Sequence, residues 1–456
     1  MKLKTFHFIS LGCAKNTVDS DSMAQLLIRS GYKHEEDPTQ SNLIIVNTCG
    51  FIKSAKEESF SVLKEAASKK TKGQLLIAAG CLTQRYGAEV IRQVPGIDGL
   101  LGTRRWMDIL EVVQPLRKDK HPKPLLHLPE TQTVGVNEKG VMRVSQQGNS
   151  AYLKIADGCR RSCAFCAIPG IKGTLVSRPK ESILNDALAL QRKGVRELVL
   201  ISQDTTDYGH DLGKKDGLAM LLESLIKKVP NIDWIRIMYA FPGYISERLI
   251  EIMATNTQIV PYLDIPLQHA HPDTLRRMHR PANIEWTYHT LEKMRTAMPD
   301  LAIRTTFIVG YPGETESEFN TLLDFVRDLR FDHVGAFKFS FEPGTASESL
   351  GDPIPSDLKQ ERFERIMECQ QPISLEINQH YIGKKLDVLI EGHGDGLSLG
   401  RSYRDAPEVD GMVIIENELT TGEMLPIQIT GATPYDLLGA PLEYRDQYHT
   451  TINYAG

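Results

Sequence analysis

No apolar run in the 456 residues is long enough to span a bilayer. The opening Met1-Lys2-Leu3-Lys4 is basic, and Phe6 to Gly12 is mostly apolar, which is the order of a secretory signal. That apolar part is too short, however, and holds His7 and Ser10. Cysteine is scarce and odd in number, with seven in the chain. A sparse, odd set is a poor disulfide framework, so a reducing cytoplasm and metal ligation are expected, with no membrane as a partner. An excess of basic charge is missing as well. The formal net charge of −5 excludes a protein that holds nucleic acid through a global basic surface. What remains is ordinary for a packed chain, 41% hydrophobic and 24% charged. The length calls for two or three domains.

The few cysteines are not scattered at random. Cys159, Cys163 and Cys166 follow an apolar run, Tyr152 to Ala156, in the spacing C-x3-C-x2-C. A structural zinc site is usually closed by four ligands. Three thiols suit a 4Fe–4S cluster whose fourth iron is free to bind something else. Three more cysteines, Cys13, Cys49 and Cys81, each follow a short apolar segment and sit beside a glycine. Those segments, Phe6 to Leu11, Leu43 to Val46 and Leu75 to Ala79, alternate with helix-length stretches near residues 20–29 and 54–68. The pattern is βαβαβ, hence a parallel α/β sheet. Ligands collect at the carboxyl ends of such strands, so the three thiols can converge on one metal site. Three buried small residues at strand ends are the plainer alternative.

From about Gln114 to Gly140 periodicity fails and Lys, Pro and His dominate, as in a linker. Beyond it, strand candidates at residues 152–156, 197–202, 234–239, 260–265, 303–309 and 334–340 alternate with helical segments. Six β/α units suggest a partial barrel, whose chemistry sits at the carboxyl ends of its strands. The residues there are the cysteine triplet, Ser202-Gln203-Asp204, Met238-Tyr239, Gln268-His269 and Gly310-Tyr311-Pro312-Gly313-Glu314. Plainer roles exist for each: a helix cap for Gln203 and Asp204, hydrogen-bonded imidazoles for His269 and His271, a turn for Gly310 to Glu314. Cys369 continues the apolar face of Phe363, Ile366 and Met367 and reads as a packing residue.

The last eighty residues change texture. Short β-rich segments separated by Gly, Pro and Asp suggest a small antiparallel barrel. Small barrels often bind nucleic acid through basic surface. From Tyr381 onward this one has five Lys and Arg against twelve Asp and Glu, a net of −7. A phosphate backbone would be repelled and a basic protein attracted. A merely solubilising face is the alternative.

The central octet Cys159-Arg160-Arg161-Ser162-Cys163-Ala164-Phe165-Cys166 resembles the radical S-adenosylmethionine (SAM) superfamily. The resemblance implies a 4Fe–4S cluster on the three cysteines, SAM on its open iron, and SAM cleavage to methionine and a 5′-deoxyadenosyl radical. It also implies that Phe165 flanks the adenine, with Gln203, Asp204, Gln268 and Gly310 on the SAM rim. Three further segments are similar to the methylthiotransferases: Ser10 to Asn16, Asn47 to Ile52 and Gly80 to Leu82. Residues 400–411 are similar to that family's terminal β module, called TRAM. By this resemblance the chain divides into an N-terminal three-cysteine domain at 4–118, a linker at 119–144, a radical SAM core at 145–378 and a TRAM domain at 379–446. A second 4Fe–4S cluster is implied on Cys13, Cys49 and Cys81, presenting sulfur at its open iron.

One branch of that family modifies adenosine in tRNA; another modifies an aspartate of ribosomal protein S twelve. Residues 155–173 and Val18 to Asp21 are similar to the ribosomal-protein branch. The acidic terminal module points the same way, since ribosomal proteins are basic. The expected partners are therefore that protein or the small ribosomal subunit, with an electron donor, and not tRNA. The expected reaction is methylthiolation at the aspartate β-carbon, whose unactivated C–H calls for a radical rather than a base. The tRNA branch and a non-enzymatic iron–sulfur carrier remain the alternatives.

Overall fold

The computed structural model describes residues 4–118, 123–131 and 138–442. The opening Met1 to Leu3, residues 119–122 of the Lys/Pro/His stretch and the last four positions of the expected TRAM domain lie outside the described residues. Among the described residues no helix is long and apolar enough to cross a membrane.

The first unit runs β1 (Thr5–Ser10), α1 (Ala14–Arg29), β2 (Lys33–His34), β3 (Leu43–Thr48), α2 (Lys53–Lys69), β4 (Leu75–Gly80), α3 (Cys81–Gln93), β5 (Gly99–Gly102), α4 (Ile109–Lys118) and β6 (Leu125–His127). Its sheet is parallel throughout, in the order β2-β1-β3-β4-β5-β6. Both faces are covered, as parallel sheets require. Ile45, Ile77 and Leu101 pack with Met23, Leu26 and Leu27 of α1. Ile44, Val46, Leu76 and Ala78 pack with Phe60 and Leu63 of α2 and Leu82 and Val90 of α3. The sixth strand comes from Leu125–His127, inside the stretch read as a linker. Three residues are too short for any periodicity to announce them.

The second unit begins with the antiparallel pair β7 (Val144–Gln147) and β8 (Ser150–Lys154). The two-residue strands β9 (Ala156–Asp157) and β10 (Val176–Ser177) bracket the cysteine octet and α5 (Ile168–Lys172). There follow α6 (Lys180–Arg192), β11 (Glu197–Ile201), α7 (Gly217–Lys228), β12 (Trp234–Ile237), α8 (Glu247–Thr255), β13 (Tyr262–Asp264), α9 (Pro272–Arg277), α10 (Ile284–Ala297), β14 (Ala302–Val309), α11 (Glu316–Leu329), β15 (His333–Lys338) and α12 (Ser356–Gln379). Strands β8, β11 and β12 pair in parallel, as do β13, β14 and β15. A parallel bridge from Ile235 to Ile259 joins the two halves. The result is the expected six-stranded partial barrel. Helix α11 shows how the sequence sets its elements. Thr315 and Glu318 form a reciprocal capping box, and Phe319, Leu322, Leu323 and Val326 make its buried stripe. Cys369 packs against the outer core beside Leu323, whose carbonyl lies 3.9 Å from its sulfur.

The third unit is a closed barrel of β16 (Lys385–Gly394), β17 (Leu397–Ser402), β18 (Val413–Ile415), β19 (Met424–Ala432) and β20 (Leu437–Pro441). All its pairings are antiparallel except β18 with β20.

Residues 400–411 seat this small barrel under the large one. Arg401 reaches Glu197 at 2.6 Å and the Ser150 hydroxyl at 3.0 Å, both at the amino ends of large-barrel strands. Arg236 holds the other oxygen of Glu197 at 2.8 Å and donates to the Tyr403 carbonyl. Arg404 binds Asp332, and Asp410 binds Arg304 and the Tyr262 hydroxyl. Burial alone would raise the Glu197 pKa, but Arg401 and Arg236 bring it down to about 2. Its pKa in the folded chain is thus below the ordinary glutamate value of about 4.3. The stabilisation is present above that value and lost as pH falls from about 4 toward about 2. Glu197→Gln leaves two buried guanidinium groups short of charge. It should cost about 3–5 kcal/mol in denaturant unfolding near neutral pH.

Candidate functional site

The three N-terminal cysteines stand where adjacent parallel strands end. In register, Ser10 pairs with Asn47 and Thr48 with Gly80, so β1, β3 and β4 deliver their following residues to one corner. Cys13 caps α1, Cys49 follows β3 directly, and Cys81 opens α3. The glycines permit the approach. A Cβ on Gly12 would lie 3.2 Å from the Cys49 sulfur. Gly80 has φ +99°, and a Cβ there would meet Asn47 Oδ1 at 2.3 Å and the Thr48 carbonyl at 2.5 Å. Gly80→Ala is therefore expected to displace Cys81. Anaerobically reconstituted protein should bind up to half less iron per chain, while the central octet keeps its share.

A residue with no sequence signal ties the corner together. Buried Asn16 donates to the carbonyls of Leu11 at 2.8 Å and Thr48 at 3.0 Å, and its Oδ1 lies 3.9 Å from the Cys81 sulfur. One amide thus touches all three cysteine loops. Ser59 does the same for one loop, exchanging hydrogen bonds with Cys49 N and O. Only the contiguity of Asn16 with Cys13 could have drawn attention to it.

The central octet leaves β9 through Gly158, at φ +72°, where a Cβ would sit 1.9 Å from the Thr174 carbonyl. Its two arginines hold it down. Arg160 makes a two-point contact with Asp207 at 2.7 and 2.8 Å. Arg161 binds Asp204 at 2.7 Å and stacks on Tyr244 and Phe241. Asp204, expected on the SAM rim, is thus engaged with the cysteine loop itself and positions it. Arg280 reaches the Cys163 sulfur at 3.6 Å. Phe165 packs with Met278, Tyr311 and Phe339, while Ala164 exchanges backbone bonds with Met278 and Ser347.

The other expected rim residues stand at the same mouth. Gln203 is half-buried just past β11, and its Oε1 has no hydrogen-bond partner among the described residues; nor does the hydroxyl of buried Ser202. Gln268 has φ +76° and bonds through its backbone to Thr306 and Ile308 of β14. Gly310 has φ +70°, and a Cβ there would strike the Lys359 side chain at 2.4 Å. Glu314 folds back onto the N–H of Tyr311 at 3.1 Å and accepts from Arg362 at 3.0 Å. Burial raises its pKa to about 7 against the pull of Arg362. His269 is buried and accepts from the His271 N–H at 3.0 Å; its Nε2 lies 3.9 Å from Glu314 Oε2 and makes no hydrogen bond among the described residues. Buried polar atoms without a hydrogen bond thus gather beside the ends of the barrel strands, each one a group that a native structure normally satisfies.

The thiols suit a cluster rather than one ion. Three sulfurs each about 2.3 Å from a single zinc would lie within about 4.6 Å of one another. Among the described residues the only donor groups that close are Asp108 with Glu111 and His127, and His271 with Asp273 and Glu318. Both already hold internal cations: Asp108 pairs with Arg105 and Lys139, and Glu318 with Arg277. Burial raises the pKa of Cys81 and Cys166 to about 12 and of Cys159 to about 11, so loading a metal must release their protons. Cys13 remains open to the cleft even though crowding around its sulfur opposes ionisation. Its pKa is nonetheless lowered, because Lys15, Lys172 and the Asn16 and Lys15 N–H groups outweigh that crowding.

Helix α5, which follows the central octet, links the two cysteine-bearing units. Cys81 packs in one buried cluster with Ala167 and Ile171, which follow Cys166 on the way through α5. Lys172 of α5 binds Asp19 of α1 at 2.7 Å, and Asp19 also holds Lys154 at 2.7 Å and Arg143 at 2.6 Å. Ala14 and Val18 of α1 join Tyr152, Val199, Ile201 and Met238 inside the large barrel. The N-terminal unit is thus a wall of the barrel cavity.

Fold and site together define a radical SAM protein with an appended TRAM domain. The Radical SAM superfamily model matches residues 153–326, the model described as Uncharacterized protein family UPF0004 matches 5–102, and the TRAM domain model matches 382–442. The chain is 47% identical over 453 residues to the ribosomal protein uS12 methylthiotransferase RimO of Chloroflexus aurantiacus, covering 96% of this chain and 99% of that one. It is 41% identical over 436 residues to the Synechocystis protein of the same name, covering 95% and 96%. The chain belongs to the family of ribosomal protein uS12 methylthiotransferases. Among solved structures it is similar in fold to the radical SAM methyltransferase TsrM of Kitasatospora setae, with cobalamin and a 4Fe–4S cluster bound. That match has a TM-score of 0.58 at 12% identity, over 88% of this chain and 77% of that one.

Proposed function

We propose that the chain adds a methylthio group to the β-carbon of an aspartate in ribosomal protein uS12. The observation that supports the reading is the packing of Cys81 against Ala167 and Ile171, which sets the end of one cysteine triplet against the helix that follows the other. Cys159, Cys163 and Cys166 would hold one 4Fe–4S cluster and Cys13, Cys49 and Cys81 a second. With SAM bound, the first would supply the radical chemistry that an unactivated C–H bond needs, and the second would supply sulfur for the methylthio group.

The protein's own part is placement and exclusion of water. Phe165, backed by Met278 and Tyr311, offers an aromatic face for adenine. Gln203, Gln268 and the Gly310 turn offer polar groups to the rest of SAM. Asp204 and Asp207 fix the cysteine loop through Arg161 and Arg160. Helix α1 and the terminal barrel, through Leu389 and Ala406, close the cavity from two sides.

The substrate choice rests on exposed charge. Asp387, Asp395, Glu408, Glu416, Glu418 and Glu423 face solvent on the TRAM barrel, while Glu391 pairs with Arg401 at 2.6 Å. Among its described residues Arg401 and Arg404 are buried in ion pairs, and Lys384 and Lys385 are its exposed cations. That face attracts a basic protein, free or on the small subunit, and repels tRNA. A redox partner must deliver the electron. The test is reconstituted protein with SAM and a reductant, offered uS12 or tRNA. A methylthio gain on uS12 alone supports the reading; a gain on tRNA alone refutes it.

A further inference from the structure

The cations around the cysteine mouth are almost all committed. Arg160 pairs with Asp207, Arg161 with Asp204, and Lys154 and Lys172 share Asp19 and Asp157. Arg280 is spent on the Cys163 sulfur and the Pro266 carbonyl. Lys15 differs. It stands in the first turn of α1, two residues past Cys13, and is half-buried. Its ammonium lies 3.1 Å from the ring centroid of Tyr239, across the junction on the large barrel. Among the described residues no carboxylate pairs with it and no acceptor takes its three N–H donors.

The aromatic side of that contact is fixed. Tyr239 follows β12 with φ +63°, a conformation uncommon outside glycine. It is held there by its N–H to Asp264 at 2.9 Å and by its carbonyl, which accepts from Thr205 N at 3.0 Å. The ring therefore backs the ammonium from one side. A half-desolvated charge with a ring and the nearby Cys13 sulfur for company still lacks a carboxylate partner.

We propose that Lys15 is the carboxylate anchor for the substrate. Its ammonium, backed by Tyr239, takes the side-chain carboxylate of the aspartate to be modified and turns the β-carbon toward the two cysteine triplets. The assignment rests on the uS12 reading above. It explains how an aspartate, rather than any residue with a β-hydrogen, is chosen. A site built around a charged partner rejects the neutral isostere, because its own charge is then left unpaired.

The test is a double-mutant cycle on the cluster-loaded full chain. The probes are uS12 and its variant carrying asparagine at the modified position, with Kd read by fluorescence anisotropy. The wild type should prefer the aspartate form by about 10- to 100-fold. Lys15→Gln should bind both forms alike, at the level of the asparagine form, and Lys15→Arg should recover most of the preference. If Lys15→Gln keeps the preference, or weakens both forms by the same factor, the anchor is overturned. A wild type that modifies uS12 while Lys15→Gln keeps its preference overturns the anchor alone. A wild type that neither binds nor modifies uS12 overturns the function reading and the anchor with it.

Discussion

An Asp19→Asn chain is expected to lose about 3–5 kcal/mol of stability in denaturant unfolding near neutral pH. Asp19 is buried and is the one carboxylate that α1 offers to Arg143, Lys154 and Lys172 together. Burial opposes its ionisation, yet Lys154, Lys172 and Arg143 hold its carboxyl far below the ordinary aspartate range. The amide keeps the shape and removes the charge. Three buried cations are then left to Asp157 and Glu138. The loss should show in function as well. Asp19 joins the helix that follows Cys13 to the helix that follows Cys166, so its charge fixes the two cysteine-bearing units against each other. Methylthio transfer should fall more steeply than SAM cleavage, which needs only the central triplet. Equal loss of both would show a general unfolding instead.

Single cysteine replacements should separate the two triplets more sharply. Cys159→Ala should abolish both 5′-deoxyadenosine formation and methylthio transfer. Cys13→Ala should halve the iron bound per chain and take methylthio transfer to background, yet leave 5′-deoxyadenosine formation measurable. The asymmetry follows from placement. The central loop is fixed by Asp204, Asp207 and Met278, all within the large barrel, and takes no hydrogen bond from Cys13. Full product from Cys13→Ala would remove the second cluster from the account.

Much of this was legible in the sequence, because local signals coincide with tertiary placement. Short apolar runs ending in Gly-Cys or Cys-Gly marked three parallel strands, and a strand-end rule carried them to one corner. The six barrel strands were visible for the same reason: each is a short apolar run between helix-length stretches. The charge of the terminal barrel could be counted directly. The groups that sequence could not assign depend on pairings over long separations. Asp19 meets Lys172 from 153 positions away, and Glu197 meets Arg401 from 204. Asp204 looked like a rim residue because it ends a strand; only the structure turns it toward Arg161. Residues 400–411 looked like a family signature, and the structure makes them the seat of one barrel on another. Asn16 and Lys15 lie in the segment around Cys13, and their own contacts depend on the fold.

The most direct measurement is the mass of uS12 isolated from small ribosomal subunits of cells with and without this gene. The account predicts that uS12 from cells with the gene carries one methylthio group that is missing when the gene is deleted and restored by the wild-type chain but not by Cys13→Ala. An unchanged uS12 mass on deletion would contradict it.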